Sequence, residues 1–156
     1  MVLSEAEFGR WVAQQEPAQA AISRALRIAV RHGAPSLIEA VNTNRWLTGY
    51  LFYTAGDGPM IYAIGAIGRG SVAFHAMPWY GSPELRHTHG AAMQPFVAGK
   101  SCFHFSSPDN LPRSALAGII EATGPFLELF AGRSARRTAA HDPGCTGSAG
   151  HPRAPP

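Results

Sequence analysis

The fold is decided by the stretch Met60-Ile-Tyr-Ala-Ile-Gly-Ala-Ile67, Gly68-Arg-Gly-Ser71, Val72-Ala-Phe-His-Ala-Met77. Its two apolar runs, rich in β-branched and aromatic residues, predict two strands, and the glycine-rich turn between them predicts a β-hairpin over 60–77. Pro78 follows directly and ends the second strand, because proline has no N–H to donate to a sheet.

Two further strands flank this hairpin along the chain. Residues 47–54 are rich in aromatic side chains and end at the turn Gly56-Asp-Gly-Pro59, while Ser101-Cys-Phe-His-Phe105 begins shortly after Gly99. Because strands that are consecutive in sequence tend to be neighbours in space, we expect these segments to pair in one antiparallel sheet.

Helices are predicted before the strands. Ser4 and Glu7 have the spacing of a capping box, and Pro17 suits the first turn of a second helix that ends at Gly33. In the second helix the apolar side chains repeat at helical spacing, and three arginines fall on another side: Arg24, Arg27 and Arg31.

A shorter helical segment is predicted between the second helix and the sheet. Ser36 and Glu39 repeat the capping-box spacing, which predicts a turn of helix with Leu37, Ile38 and Val41 facing inward.

Helices are also predicted after the hairpin. Ser82 begins one that runs towards Met93, and residues 108–112 form a loop. A last helix ends near Gly124 and is followed by an apolar turn or two reaching Phe130. Its inward-facing residues are Leu116, Ile119 and Ile120.

The order of helices, then strands, then a helix is typical of the α+β class. We therefore expect an antiparallel β-sheet of about four to five strands packed against N- and C-terminal helices. The predicted boundaries place an N-terminal helix at 1–16, the α+β domain at 17–130 and a tail at 131–156.

The tail carries the charge imbalance of the chain. The 156 residues have a net charge of +3, yet residues 1–130 hold nine basic and nine acidic side chains, so the excess lies in 131–156. That segment is rich in Arg, Gly and Pro and has too little apolar surface to offset the entropy of ordering, which predicts disorder. We expect no nucleic-acid binding except through this tail.

Composition excludes several classes of protein. Two cysteines are too few for a disulfide scaffold, and the acidic N-terminus has no apolar core of a signal peptide. No apolar run reaches the roughly 18 residues of a membrane span. We therefore expect a cytoplasmic protein with no membrane segment.

Five motifs follow one another along the chain: Met60-Ile-Tyr-Ala-Ile-Gly65, Ser71-Val-Ala-Phe-His-Ala-Met-Pro-Trp-Tyr80, Pro83-Glu-Leu85, Gly99-Lys-Ser-Cys-Phe-His-Phe105 and Asp109-Asn-Leu-Pro112. Together, in this order, they resemble the YdhG-like family, a bacterial domain of unknown function. The resemblance implies a small α+β domain with an antiparallel sheet backed by terminal helices. Some members are discussed as frataxin-like iron chaperones, so it also implies an iron role. Loosely held iron favours clustered carboxylates, whereas this sequence spreads its acids among as many bases.

Strand alternation predicts the candidate site. It places His75 on one face of its strand and Cys102 with His104 on one face of the later strand, so the three side chains could converge if the two strands share a sheet. One Cys and two His could bind zinc or iron with an open fourth position, or each His could be an ordinary half-buried sheet residue. Aromatic residues of the neighbouring strands could line the same surface: Tyr50, Phe52 and Tyr62.

Two other features add candidate binding residues. Met77-Pro-Trp-Tyr80 is a rigid aromatic turn, so Trp79 and Tyr80 could form a pocket lip, an interface or a lid over the sheet edge. Lys100, the single lysine, lies in Gly99-Lys-Ser101, which opens a strand and lacks the upstream glycine of a phosphate-binding loop.

The leading prediction is a non-catalytic binding module for a small molecule or a protein, using the aromatic and histidine face with the Met77–Tyr80 turn. The face could instead be buried in a homodimer, since it would otherwise expose apolar surface. The alternatives are a metal-binding or iron-chaperone role through His75, Cys102 and His104, and a weak enzyme. In that enzyme Cys102 would be the nucleophile with His75 as its base.

Overall fold

A computed structural model describes residues 3–139 of the chain, with side chains described as far as Ala131. It confirms the α+β class, with an antiparallel sheet and helices that come before and after it. The helices are α1 (Glu5–Val12), α2 (Pro17–Gly33), α3 (Met77–Gly81), α4 (Pro83–Met93), α5 (Arg113–Glu121) and α6 (Thr123–Ala139). The strands are β1 (Ile38–Val41), β2 (Leu51–Thr54), β3 (Met60–Ile67), β4 (Ser71–Ala76) and β5 (Cys102–Phe105). Single 3₁₀ turns lie at Gln94–Phe96 and Pro108–Asn110.

The sheet is a simple meander in which every strand pairs with its neighbours in sequence, in the order β1-β2-β3-β4-β5. The predicted hairpin is confirmed as β3 and β4, with Ile67 opposite Ser71. Gly68 and Gly70 in its turn have φ values of 51° and 78°. Such values suit glycine, which has no Cβ to clash with the backbone.

One face of the sheet packs against the helices, and we call it the helix face. Its aromatic side chains are fully buried: Tyr53, Tyr62, Phe74, Phe103 and Phe105. Tyr62 stacks on Phe74 with ring centroids 5.6 Å apart, and its hydroxyl lies 2.7 Å from the hydroxyl of Thr123 in α6. The prediction that Tyr62 lines a ligand surface is therefore wrong, because its side chain is sealed between the sheet and the C-terminal helices.

The predicted turn of helix at 36–41 is also wrong, because Ile38–Val41 is strand β1 at the edge of the sheet. The capping-box spacing misled because Glu39 has no capping role. Its carboxylate is 2% exposed and accepts hydrogen bonds from Arg27 and from the hydroxyl of Tyr53. Glu39 is thus an interior residue of the helix face.

Arg27 is likewise interior, although its spacing placed it on the polar side of α2. It is 6% exposed, donates to both Glu39 and Glu5, and lies 3.9 Å from the ring centre of Phe8. Burial alone lowers the pKa of Arg27, but its hydrogen bonds to Glu39 and Glu5 outweigh burial and raise that pKa above the usual value. The guanidinium therefore stays charged inside the fold and ties α1, α2 and β1 together.

Two boundaries differ from their predictions. The Met77–Tyr80 turn is part of the five-residue helix α3, since Pro78 fits the first turn of a helix as readily as it ends a strand. Helix α6 continues to Ala139, so the segment predicted as a tail from residue 131 begins as helix. The rest of that predicted tail, 140–156, lies outside the described residues.

One stretch qualifies the expectation that the chain has no membrane segment. Residues 113–131, which span α5 and the first part of α6, are long and apolar enough to cross a membrane by length and composition. The inward side chains of α5 belong to the core of the domain, Ala115, Leu116, Ile119 and Ile120. A core helix passes the same test, so the expectation stays a prediction.

Candidate functional site

A single row of side chains crosses all five strands on the side of the sheet away from the helices, which we call the open face. The strand registers pair Ala40 with Phe52, Phe52 with Ala63, Ala63 with His75, and His75 with Cys102. Residues that lie opposite each other on paired strands project to the same side of the sheet. This register brings His75 and Cys102 together, as strand alternation predicted.

The middle of the open face is a floor of small residues. Ala63 and Ala73 are buried although neither carries a large side chain, and Gly65 lies between them. The ring of Tyr50 rests on Gly65 so closely that a Cβ there would come within 2.4 Å of it. Only glycine allows this approach, so the floor is shaped to receive the Tyr50 ring.

The loop between β1 and β2 stands beside this floor and is organised by Asn42. Asn42 is buried, and its side-chain amide donates to the carbonyl oxygens of Trp46 at 2.6 Å and Leu47 at 3.0 Å. Its side-chain oxygen accepts from the N–H of Asn44 at 3.1 Å. One amide side chain therefore closes the loop on itself.

Two further features hold the same loop in place. Leu47 has a φ of 52°, a left-handed conformation that costs a non-glycine residue about 1 kcal/mol or more. The indole Nε1 of Trp11 in α1 donates to the carbonyl of Gly49 at 2.7 Å. Surrounding contacts thus maintain a strained conformation, a situation typical of functional loops.

The loop presents Trp46 over the open face. The Trp46 side chain is 62% exposed, and its ring lies edge-on to Phe52 at 6.1 Å and to His75 at 6.3 Å between centroids. The ring of Tyr50 lies 6.1 Å from that of His75 on the same face. Four rings from three parts of the chain therefore form one cluster, which we call the aromatic cluster: Trp46, Tyr50, Phe52 and His75.

At the β5 end of the row, His75 meets the only described cysteine. The sulfur of Cys102 lies 3.6 Å from Nε2 of His75, within reach of a weak S–H···N hydrogen bond. Burial raises the pKa of the Cys102 thiol. Burial, together with the nearby His104, lowers the pKa of His75 from its usual value near 6.5. Both shifts favour the neutral thiol and the neutral imidazole at pH 7.

The predicted metal site is not formed. Within the part of the chain that the structure describes, no three His, Cys, Asp or Glu side chains lie where they could hold a metal ion. His104 pairs with Ala73 in the next row, and its side chain is exposed, so it does not join His75 and Cys102 around one point. Two neutral side chains without a third ligand are a poor zinc or iron site.

The remaining predicted site residues lie elsewhere. Trp79 is buried and packs edge-on to Phe103, with centroids 5.2 Å apart, on the helix face. Tyr80 and Lys100 line a separate groove beside α3 and α4. The predicted single site therefore divides into the aromatic cluster on the open face and this second groove.

A cleft beside α1 was not predicted from the sequence. It has a volume of about 720 Å³ and lies between α1 and the outer edge of β1, with Trp11 and Arg10 on one wall and Ile38–Val41 on the other. The N–H of Leu3 donates to the carbonyl of Glu39 at this edge. Leu3, the first residue that the structure describes, is thus hydrogen-bonded to β1.

Comparisons with known proteins give no neighbour for this chain. No family model, no curated protein and no solved structure matches it. The resemblance to the YdhG-like family therefore stays a prediction, and the site is interpreted from its own geometry.

Trp46 is the member of the aromatic cluster that the sequence pattern missed. It precedes the predicted strand 47–54 and belongs to no periodic run, so neither helical nor strand spacing singles it out. The signal available was local: Asn42-Thr-Asn44 is typical of a loop closed by side-chain hydrogen bonds, and a tryptophan follows it after one residue, Arg45.

Proposed function

We propose that this chain is a non-catalytic binding module whose open face docks against a second copy of the same chain. Trp46 is the observation that carries the proposal. Its large ring is mostly exposed, yet buried Asn42 and the hydrogen bond from Trp11 to Gly49 fix the loop that presents it. Rigid exposed aromatic rings are the side chains that most often anchor protein interfaces.

The chemistry of the face favours a second copy over an unrelated partner. The row from Ala40 to Cys102 contains no Asp, Glu, Lys or Arg, so it has no charge pattern with which to select a different protein. A two-fold dimer requires one patch to complement itself. A projecting Trp46 ring beside exposed Ala40 and half-buried Phe52 provides both a protrusion and a shallow apolar surface to receive it.

Sedimentation equilibrium and light scattering of the whole chain test the proposal. We expect a concentration-dependent species of twice the 16.6 kDa chain mass. Trp46→Ala should raise the dimer dissociation constant at least about tenfold, as loss of an interface anchor does. Phe130→Ala is the matched control, because Phe130 is also an exposed aromatic residue but lies on α6. It should leave the dissociation constant unchanged.

Two results would overturn this proposal. One is a strict monomer at several hundred micromolar chain, which would leave the aromatic cluster free for a different ligand. The other is a dimer that Trp46→Ala and Phe130→Ala weaken equally, which would place the interface elsewhere.

A cysteine-dependent enzyme is the second candidate, favoured by the 3.6 Å separation of Cys102 Sγ and His75 Nε2. In that reaction the thiol would pass its proton to Nε2 as the sulfur attacks an electrophilic carbon. The raised pKa of Cys102 and the lowered pKa of His75 oppose this proton transfer before a substrate binds. The geometry therefore permits the reaction, while the electrostatics keep the thiol unreactive.

Alkylation by iodoacetamide separates the two candidates. In a Cys145→Ser background Cys102 is the single thiol of the chain. A non-catalytic Cys102 should react more slowly at pH 7 than free cysteine, because burial raises the pKa of its thiol above the usual value near 9. Its alkylation should accelerate only above pH 9, where the thiolate begins to form. Rapid alkylation at pH 7 that His75→Gln abolishes would favour the enzyme instead.

A further inference from the structure

A second groove lies on the helix side of the domain, away from the aromatic cluster. Its volume is about 340 Å³, and α3, the start of α4 and the segment leading into β5 form its walls. The lining residues are Trp79, Tyr80, Arg86, Gln94, Val97, Gly99 and Lys100. Trp79 forms the buried inner wall of the groove, where its ring packs against Phe103 on the helix face.

Both charged residues of the groove are cations, and one of them is fixed. A terminal nitrogen of the Arg86 guanidinium donates to the carbonyls of Trp79 at 2.6 Å and Tyr80 at 2.8 Å. The other guanidinium nitrogens of Arg86 have no protein acceptor among the described residues, and neither Arg86 nor Lys100 forms an ion pair there. No carboxylate of the described residues 3–131 lines the groove.

An apolar wall accompanies the cations. The ring of Tyr80 is 51% exposed because α3 buries Pro78 and Trp79 and turns Tyr80 outward. Val97 is also exposed, although it forms a β-bridge to Phe103 that holds its backbone in place. The groove thus combines a fixed guanidinium, an ammonium and a flat apolar surface.

We propose that this groove binds a small organic anion, in which a phosphate or carboxylate group contacts Arg86 and Lys100 and an attached ring packs on Tyr80 and Val97. Arg86 has free N–H donors in the planar arrangement that suits the oxygens of either anion. A groove of this volume lies at the small end of the range for ligand pockets. The site does not depend on the proposed dimer, since Trp46 and the rest of the aromatic cluster do not line the groove.

The single lysine allows a direct test on the whole chain. Labelling with ¹⁵N-lysine gives one backbone amide signal, that of Lys100. Phenyl phosphate, benzoate and inorganic phosphate are each titrated at constant ionic strength while this signal is followed. We expect phenyl phosphate or benzoate to shift it saturably, with inorganic phosphate at least about tenfold weaker because it lacks the ring. Whichever ring compound binds more tightly identifies the anionic group.

Three variants locate the binding. Tyr80→Ala should weaken phenyl phosphate or benzoate several-fold and leave inorganic phosphate unchanged, and it removes no side-chain hydrogen bond. Arg86→Gln should weaken all three anions, with circular dichroism to confirm that α3 and α4 remain folded. Arg69→Gln is the matched control, because it removes one exposed arginine at the tip of the β3–β4 hairpin.

The proposal is overturned if neither ring compound shifts the Lys100 signal saturably. It is also overturned if Arg69→Gln weakens binding as much as Arg86→Gln, since that would show general attraction of anions to positive charge. Equal affinities for inorganic phosphate and for both ring compounds would overturn the assignment of Tyr80 as a binding wall.

Discussion

The two faces of the sheet are built from the same five strands but use aromatic residues in opposite ways. On the helix face, large rings fill the interior, and the hydroxyl groups of Tyr53 and Tyr62 each find a partner there. On the open face, small residues form the floor, and the rings of Trp46, Tyr50 and Phe52 remain partly exposed above it. One set of rings therefore stabilises the fold, while the other offers apolar surface for binding.

The largest expected effect contrasts one phenylalanine from each face. Phe74 is fully buried and stacked on Tyr62, so Phe74→Ala should lower the free energy of unfolding by about 4 kcal/mol through lost burial and the cavity left behind. Phe52 is half-buried on the open face, so Phe52→Ala should cost only about 1–2 kcal/mol. Urea unfolding measures both. Equal losses would mean that the open face is part of the core.

The buried ion pair gives the next largest effect. Glu39 accepts from Arg27 at 2.8 and 2.9 Å and from the hydroxyl of Tyr53 at 2.8 Å. Glu39→Gln removes the buried negative charge that balances the guanidinium of Arg27, so we expect a loss of about 3 kcal/mol in the free energy of unfolding.

Two controls show whether burial is the cause of that loss. Glu5 also accepts from Arg27, but its side chain is 73% exposed, so Glu5→Gln should cost much less. The double variant Arg27→Met/Glu39→Leu removes both buried charges and should recover most of the stability. If Glu39→Gln and Glu5→Gln lower the free energy of unfolding equally, the Arg27–Glu39 ion pair does not behave as a buried pair.

These contacts also show how far the sequence could predict the structure. The β3–β4 hairpin and its apolar alternation are local, so the hairpin followed from spacing, and the α+β class followed from the order of the elements. The meeting of His75 with Cys102 followed only on the condition that their strands share a sheet, which the structure meets. Glu39 and Arg27 were misplaced because a buried charge is permitted only by a partner distant in sequence, and periodicity carries no information about that partner. The prediction that Tyr62 lines a ligand surface was wrong for a related reason. Strand alternation defines two faces of a sheet but does not show which face the helices cover.

The aromatic cluster was predictable only in part. Tyr50, Phe52 and His75 belong to strands or their ends, and strand pairing was enough to group them. Trp46 reaches the cluster through the hydrogen bonds of Asn42 and the positive φ of Leu47, which are properties of a folded loop. Trp79 was assigned to the same surface because its place after β4 does not reveal that α3 turns its ring into the core. Lys100 was assigned there because its place before β5 does not reveal that it lines a separate groove.

Loosening the Trp46 loop is expected to have a smaller effect on stability and a clear effect on binding. Asn42→Ala removes three hydrogen bonds and leaves the carbonyls of Trp46 and Leu47 without their donor, so we expect a loss of about 2 kcal/mol. The dimer dissociation constant should rise by several-fold, because Trp46 is no longer held in place.

Thr43→Ala is a suitable control for the loop, since Thr43 is an exposed neighbour with no side-chain hydrogen bond among the described residues. If Asn42→Ala and Thr43→Ala change the dimer dissociation constant equally, the hydrogen bonds of Asn42 do not contribute to dimer formation by holding Trp46 in place.

The smallest expected effect is a pH dependence confined to the open face. The pKa of His75 in the folded chain lies below its usual value near 6.5, mainly through burial, while the unfolded chain keeps that usual value. As the pH falls through 6.5 the unfolded state binds a proton that the folded state does not, so stability is lost towards acid and is fully present above pH 6.5. The titratable groups nearest His75 are Cys102, Tyr50 and His104, and none of them supplies a negative charge at this pH to retain the proton.

NMR titration of the His75 ring measures this pKa directly, and sedimentation measures its consequence. We expect the dimer to weaken by a few-fold between pH 7.5 and pH 5.5, because burying a charged imidazole in an apolar interface is unfavourable. His75→Gln should remove most of that dependence, while His87→Gln on α4, away from the open face, should leave it intact. A His75 that titrates at its usual value near 6.5 would show that burial on the open face does not exclude water from the ring, and the contrast between the two faces would then rest on packing alone.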